Sequence, residues 1–115
     1  MVAQSLDLIR GTLDLLILQV LNHGPQHGYG IGRWLRDETG GELQIEEGAL
    51  YPAMHRLENR KWVAASWGLT ENNRRAKYYR LTPKGEKHLS SEVDRWTRYA
   101  NAVAKILNPA SRVVS

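Results

Sequence analysis

From Leu89 to Leu107 the apolar residues Leu89, Val93, Trp96, Ala100, Val103 and Leu107 follow one another at spacings of 4, 3, 4, 3 and 4. That alternation holds them on one stripe of an α-helix, the pattern of a and d positions in a coiled coil. Thr82-Pro83 supplies an N-cap and a proline for the first helical position, and Asn108-Pro109 stops the helix. At 1.5 Å per residue, a helix over residues 83–107 is about 38 Å long, more than the compact unit before it can cover. The stripe therefore calls for a second copy of the chain, and these six residues are the expected dimer interface. The alternative is packing onto the chain's own domain alone.

The 115 residues fit a single domain, 1–115, with a unit over residues 6–82 and the long helix over 83–108. With 42% hydrophobic and 24% charged residues, the composition is that of an ordinary globular chain rather than a disordered one. The absence of cysteine excludes disulfides, thiolate zinc sites and a cysteine nucleophile. The longest apolar run, Leu13 to Leu21, contains Asp14 and Gln19 and is far shorter than the roughly 20 residues a membrane span needs. It lacks the flanks of a signal peptide, so a soluble, cytoplasmic protein is expected.

Leu13, Leu16, Ile17, Val20 and Leu21 recur at helical spacing, predicting a first helix that starts between Ser5 and Thr12 and ends at Gly24-Pro25. Leu6, Leu8 and Ile9 either extend it or form an arm. The segment His27 to Thr39 carries Tyr29, Ile31, Trp34 and Leu35 and predicts a second helix, closed by Gly40-Gly41 where the backbone can take positive φ. Glu42 to Ile45 alternates polar and apolar residues, either as a brief strand or as a lead into the next helix.

In that third helix, steps of about 100° put Leu50, Ala53, Met54 and Leu57 on one side. Pro52, His55, Arg56 and Asn59 face the other way, with Tyr51 and Arg60 on the flanks. Pro52 has no N–H to give, so the regular helix is expected to begin close to Gly48 or Ala49. Val63, Ala65 and Trp67, then Tyr79 and Leu81, alternate as strands do, around a polar turn from Gly68 to Arg75. This predicts a hairpin with an eight-residue tip, in which Asn72 and Asn73 tolerate left-handed φ.

The net charge of +4 has an address. Between Glu71 and Lys84 lie Arg74, Arg75, Lys77, Arg80 and Lys84 against one carboxylate, an excess equal to that of the whole chain. A basic excess confined to one hairpin suits phosphate, although a solvated charge run would look the same. A helix with one wet face beside such a hairpin is a winged helix-turn-helix. The expected fold is mainly α with a small β-hairpin (α+β), plus a long C-terminal dimerisation helix. On double-stranded DNA, Asn73, Arg74, Arg75 and Lys77 would meet phosphates. His55, Arg56 and Asn59 would point into the major groove, and Tyr29 and Tyr51 would donate to phosphates from helix starts. For Tyr51, packing against the wing is an equal alternative.

Other chemistry finds little support. His23 and His27 are separated by Gly24-Pro25 and cannot share a helical face, so no metal is expected. There is no nucleophile elbow, and the glycine-rich HGYGIG does not follow a strand as a dinucleotide site requires; no cofactor and no enzymatic activity are expected.

The stretches LIRGTLDLLILQVLNHGPQHGYGI, EEGALYPAMHRLE and WG…NNRRAKYYRLTPKG resemble the PadR family of bacterial transcriptional regulators over residues 6 to 108. The single closing helix resembles the family's small subfamily. That resemblance implies a homodimer, repression from a palindromic operator and, as in several members, release by a small aromatic or drug-like molecule. Multidrug-binding members stack flat ligands between two tryptophans at the position of Trp96, which implies a cavity walled here by Leu8, Thr12, Leu15 and Ala100. The plainer reading is that Trp96 fills the dimer interface. A non-specific architectural DNA binder and a protein-interaction winged helix are the alternatives to an operator-specific regulator.

Overall fold

The computed structural model describes residues 11–108, in the order α1 (Thr12–Leu21), β1 (Gln26–His27), α2 (Gly28–Glu38), α3 (Glu47–Asn59), β2 (Val63–Leu69), β3 (Arg75–Leu81) and α4 (Pro83–Leu107). Four helices and a three-stranded antiparallel sheet of order β1-β3-β2 form a winged helix. Helix α1 starts at the late end of the expected range, after Gly11 at φ 89°. Leu6, Leu8 and Ile9 lie outside the described residues.

The core follows from the helical stripes. Ile17, Val20 and Leu21 of α1 are buried with Ile31 and Leu35 of α2 and with Leu50, Ala53, Met54 and Leu57 of α3. Each large apolar side chain so buried contributes roughly 1.5–3 kcal/mol. Leu18 of α1 is buried as well, although the stripe drawn from the sequence passed it by. Val63 and Tyr79 close the core from the sheet.

Several boundaries differ from expectation. Gln26-His27 pairs with Tyr79 and Tyr78 as a third strand. Two residues carry too little pattern to announce a strand, and their partner lies far along the chain. The wing tip is five residues, 70–74, rather than eight, because pairing continues out to Leu69 and Arg75. Thr70 and Arg74 close it: the Thr70 N–H donates to the Arg74 carbonyl at 2.8 Å, and Asn73, at φ 61°, makes the left-handed step. Asn72 is not in that region. Residues 42–45 form no strand; they follow Gly40 and Gly41, both at positive φ, and lead into α3. Helix α3 begins at Glu47, slightly earlier than Pro52 suggested, which leaves the proline one turn inside.

Helix α4 has the predicted limits. The Thr82 hydroxyl accepts from the Gly85 N–H at 3.0 Å, Pro83 opens the helix, and Leu107 ends it. The expected interface needs one correction: Leu89 is 4% exposed and belongs to the protomer's own core. Beyond it, Val93, Trp96 and Leu107 are exposed and Ala100 and Val103 half-buried. The radius of gyration of 16.3 Å exceeds the roughly 13 Å of a compact domain this size, as a projecting helix requires. Among the described residues no helix is long and apolar enough to cross a membrane.

Candidate nucleic-acid interface

The outward side of α3 is built by its inward side. With Leu50, Ala53, Met54 and Leu57 fixed in the core, helical geometry turns Gly48, Pro52, His55 and Asn59 to solvent. Asn59 Nδ2 and His55 Nδ1 lie 3.3 Å apart, so these two predicted base-reading residues hold one another in place.

Arg56 and Lys77 each have a carboxylate partner across the fold. Arg56 stands on the flank of α3 facing α1, and its Nη2 donates to Asp14 Oδ1 at 2.8 Å. Lys77 stands on the inner face of β3, and its Nζ donates to Glu58 Oε1 of α3 at 3.2 Å. One pair ties α3 to the first helix and the other ties it to the wing. Both ion pairs are partly exposed and help set the angle of α3, and both cations remain open to solvent beside the outward face.

The Glu58 carboxylate beside Lys77 holds its ammonium above the ordinary lysine range. Burial pushes the neighbouring Tyr79 phenol up, against the opposing pull of the Lys77 charge. Both shifts favour the form present at neutral pH, cationic lysine and neutral tyrosine. Their contribution to stability is complete below about pH 10 and lost as pH rises past the raised values. Glu58→Gln removes the larger cause of the lysine shift. The melting temperature of the wild type should therefore fall more steeply above about pH 10 than that of Glu58→Gln, by at most a few degrees because both side chains are more than a third exposed to solvent. Parallel melting curves would show that the pair is not formed.

Tyr51 sits where α2 meets α3. A side chain on Gly28 would place its Cβ 2.8 Å from the Tyr51 ring, so the glycine makes the tyrosine's seat. Tyr29, at the start of α2, is exposed. The two tyrosines flank an open groove of about 190 Å³ that Arg33 and Arg36 also line. Sequence reading missed these arginines because Asp37 and Glu38 follow them and cancel the local charge. Their spacing of three, on the side of a helix away from Ile31 and Leu35, was the available signal.

The histidines have structural work. His27 caps α2, its Nδ1 accepting from the Gly30 N–H at 3.0 Å, and the His23 ring packs 5.1 Å from that of Trp34. At the wing tip Arg74 and Asn73 are exposed, and Arg75 lies over Trp67 with its guanidinium carbon 4.6 Å from the ring centroid. Of the expected effector wall, Leu8 lies outside the described residues and Thr12 opens α1. Leu15 lines a cleft of about 220 Å³ with Asp14, Arg60, Trp62, His88 and Glu92, which Trp96 and Ala100 do not line.

Comparison with known proteins decides the family. Residues 17–91 match the model of the transcriptional regulator PadR-like family. The chain belongs to that family. A transcriptional regulator from Clostridium thermocellum has the same fold at a TM-score of 0.76 and 34% identity, over 84% of this chain and 94% of its own. A PadR family transcriptional regulator from Eggerthella lenta superposes at 0.73 with 34% identity, over 86% and 84%. An uncharacterised protein of Lysinibacillus sphaericus is 36% identical over 90 residues, covering 78% of this chain and 83% of that one. As a PadR-like protein the chain is a transcriptional regulator, whose chemistry is DNA binding. The outward face of α3, the groove tyrosines and the wing are the parts of this PadR-like fold with the residue types for it.

Proposed function

We propose that this PadR-like regulator is a repressor that binds a palindromic operator as a homodimer, with α3 in the major groove and the wing on the flanking backbone. The observation that carries the reading is the bare apolar stripe of α4 on a unit that by itself offers few DNA contacts. Two copies joined along Val93, Trp96, Ala100, Val103 and Leu107 would place two α3 helices on one duplex, with half-sites about one turn, roughly 34 Å, apart. His55, Arg56 and Asn59 are the candidate base readers. Asn73, Arg74, Arg75 and Lys77, with Tyr29 and Tyr51, are the candidate backbone contacts, joined by Arg33 and Arg36, whose exposed side chains share Asp37. A small hydrophobic or aromatic effector, received at Trp96, completes the proposal; it rests on the resemblance and on the 42% exposure of that side chain.

The test is selection of bound duplexes from random sequence, with and without flat aromatic compounds. A palindrome is expected, lost with an active compound. Equal retention of all sequences would favour a non-specific architectural binder instead. Arg74→Ala should weaken binding to every sequence alike and lower the slope of log K against log salt by about 0.9, one phosphate's share. Asn59→Ala should relax preference at one base pair per half-site. If both variants bind with unchanged slope and preference, this face is not the interface.

A further inference from the structure

The wing carries an aromatic residue that neither the core nor the charge pattern explains. The β2–β3 register pairs Ala65 with Tyr79, Trp67 with Lys77 and Leu69 with Arg75, and side chains alternate between faces, so all six share one face of the hairpin. The direction of that face is fixed at two points. Tyr79 is buried in the core, and Lys77 reaches Glu58 on α3. The same face, continued past the end of the core, therefore projects beside α3 toward whatever α3 meets.

On that projection Trp67 is 61% exposed and Leu69 64% exposed, at a site where burial was available to neither. The opposite face of the hairpin is occupied differently. There Tyr78 lies against Gly68, where an added Cβ would be 3.0 Å from the ring, and its hydroxyl donates to the Leu69 carbonyl at 3.0 Å. The wing is thus braced from behind by Tyr78. What the indole does hold is Arg75, whose guanidinium it carries on its ring. An arginine on an aromatic face gives up rotamer freedom before binding, so less is lost when it meets a phosphate.

We propose that Trp67 is a DNA-contacting residue: it lies along the sugar edge of the duplex backbone beside α3 and presents Arg75 to the adjacent phosphate. The occupant is duplex DNA because the surface joins an apolar ring to cations. Arg74 and Arg75 stand at the same tip, and the segment from Glu71 to Lys84 holds an excess of four positive charges. A DNA backbone offers the C–H edge of deoxyribose next to an anionic phosphate. The surface is also continuous with the α3 face, so no separate partner has to be invoked. The inference rests on the interface reading above and adds a residue to it.

The test measures binding of the full chain to a labelled duplex carrying the selected palindrome, across a salt series, for wild type, Trp67→Ala, Trp67→Phe, Arg75→Ala and the double variant Trp67→Ala/Arg75→Ala. Melting curves and molar masses are recorded alongside. Trp67→Ala should weaken binding about three- to tenfold with an unchanged melting temperature. Arg75→Ala should lower the salt slope by about 0.9. The double variant should lose less than the product of the two single losses, because the pair acts as one unit. Trp67→Phe, which keeps a ring for the guanidinium, should recover most of the affinity. Wild-type binding by Trp67→Ala overturns the inference and leaves the interface reading intact. A loss that accompanies a lowered melting temperature and is not rescued by phenylalanine assigns Trp67 to wing structure and also overturns it. A change of molar mass in Trp67→Ala assigns the face to a second copy of the chain. Failure of the wild type to bind any duplex removes the interface reading and this inference together.

Discussion

Val103→Asp is expected to turn the protein into a monomer and to weaken operator binding by about a hundredfold or more. Val103 lies on the same stripe of α4 as Trp96 and Ala100, in the part of the helix past Leu89, where the protomer's own core has ended. A carboxylate forced into a closed apolar seam is stripped of water with no partner, a cost of several kcal/mol that a helix-pair interface cannot absorb. Each half then binds a half-site alone and forfeits the effective concentration its twin provided. The measurement is sedimentation equilibrium beside operator titration, with Lys105→Asp as a control on the opposite side of α4. A Val103→Asp protein that stays dimeric and binds like wild type would remove α4 as the interface.

Gly85→Ala should lower stability by about 3 kcal/mol, with unfolding more than ~10 °C earlier for a domain of this size. The sign is unusual. In an ordinary helix alanine is favoured over glycine by about 1 kcal/mol. Gly85, however, lies in the first turn of α4 against the Trp62 backbone, and an added Cβ would collide with the Trp62 carbonyl oxygen. That carbonyl also accepts the Thr82 N–H at 3.0 Å, the Thr82 hydroxyl donates to the Lys61 carbonyl, and Lys84 donates to that of Arg60. Backbone held this firmly cannot retreat, so the steric cost outweighs the propensity gain. Thermal melts of Gly85→Ala and of the exposed control Lys87→Ala check it; equal midpoints would mean that α4 can shift at no cost.

Gly85 also marks the limit of what the residues announce. Read along the chain, it weakens an otherwise strong helix start; seen in three dimensions, it is the condition for α4 to dock. The same division runs through the interface. The buried side of α3 was legible from Leu50, Ala53, Met54 and Leu57 because helical spacing and apolarity coincide. The ion pairs of Arg56 and Lys77 were not. A basic residue on an exposed face looks the same whether it waits for a phosphate or is paired with a carboxylate, and Asp14 and Glu58 are neighbours only after folding. Strand β1 and the arginines of α2 escaped for related reasons, one too short for a pattern and the other hidden by local charge cancellation.

By itself the sequence determined the helices, both limits of α4, the hairpin and the location of its charge, since each is set by residues close together along the chain. Only the tertiary structure decided which cations meet carboxylates across the fold, that Leu89 belongs to the core, and that Trp67 stands bare beside α3. Those outcomes depend on pairs of residues far apart in the chain, whose meeting no local period encodes.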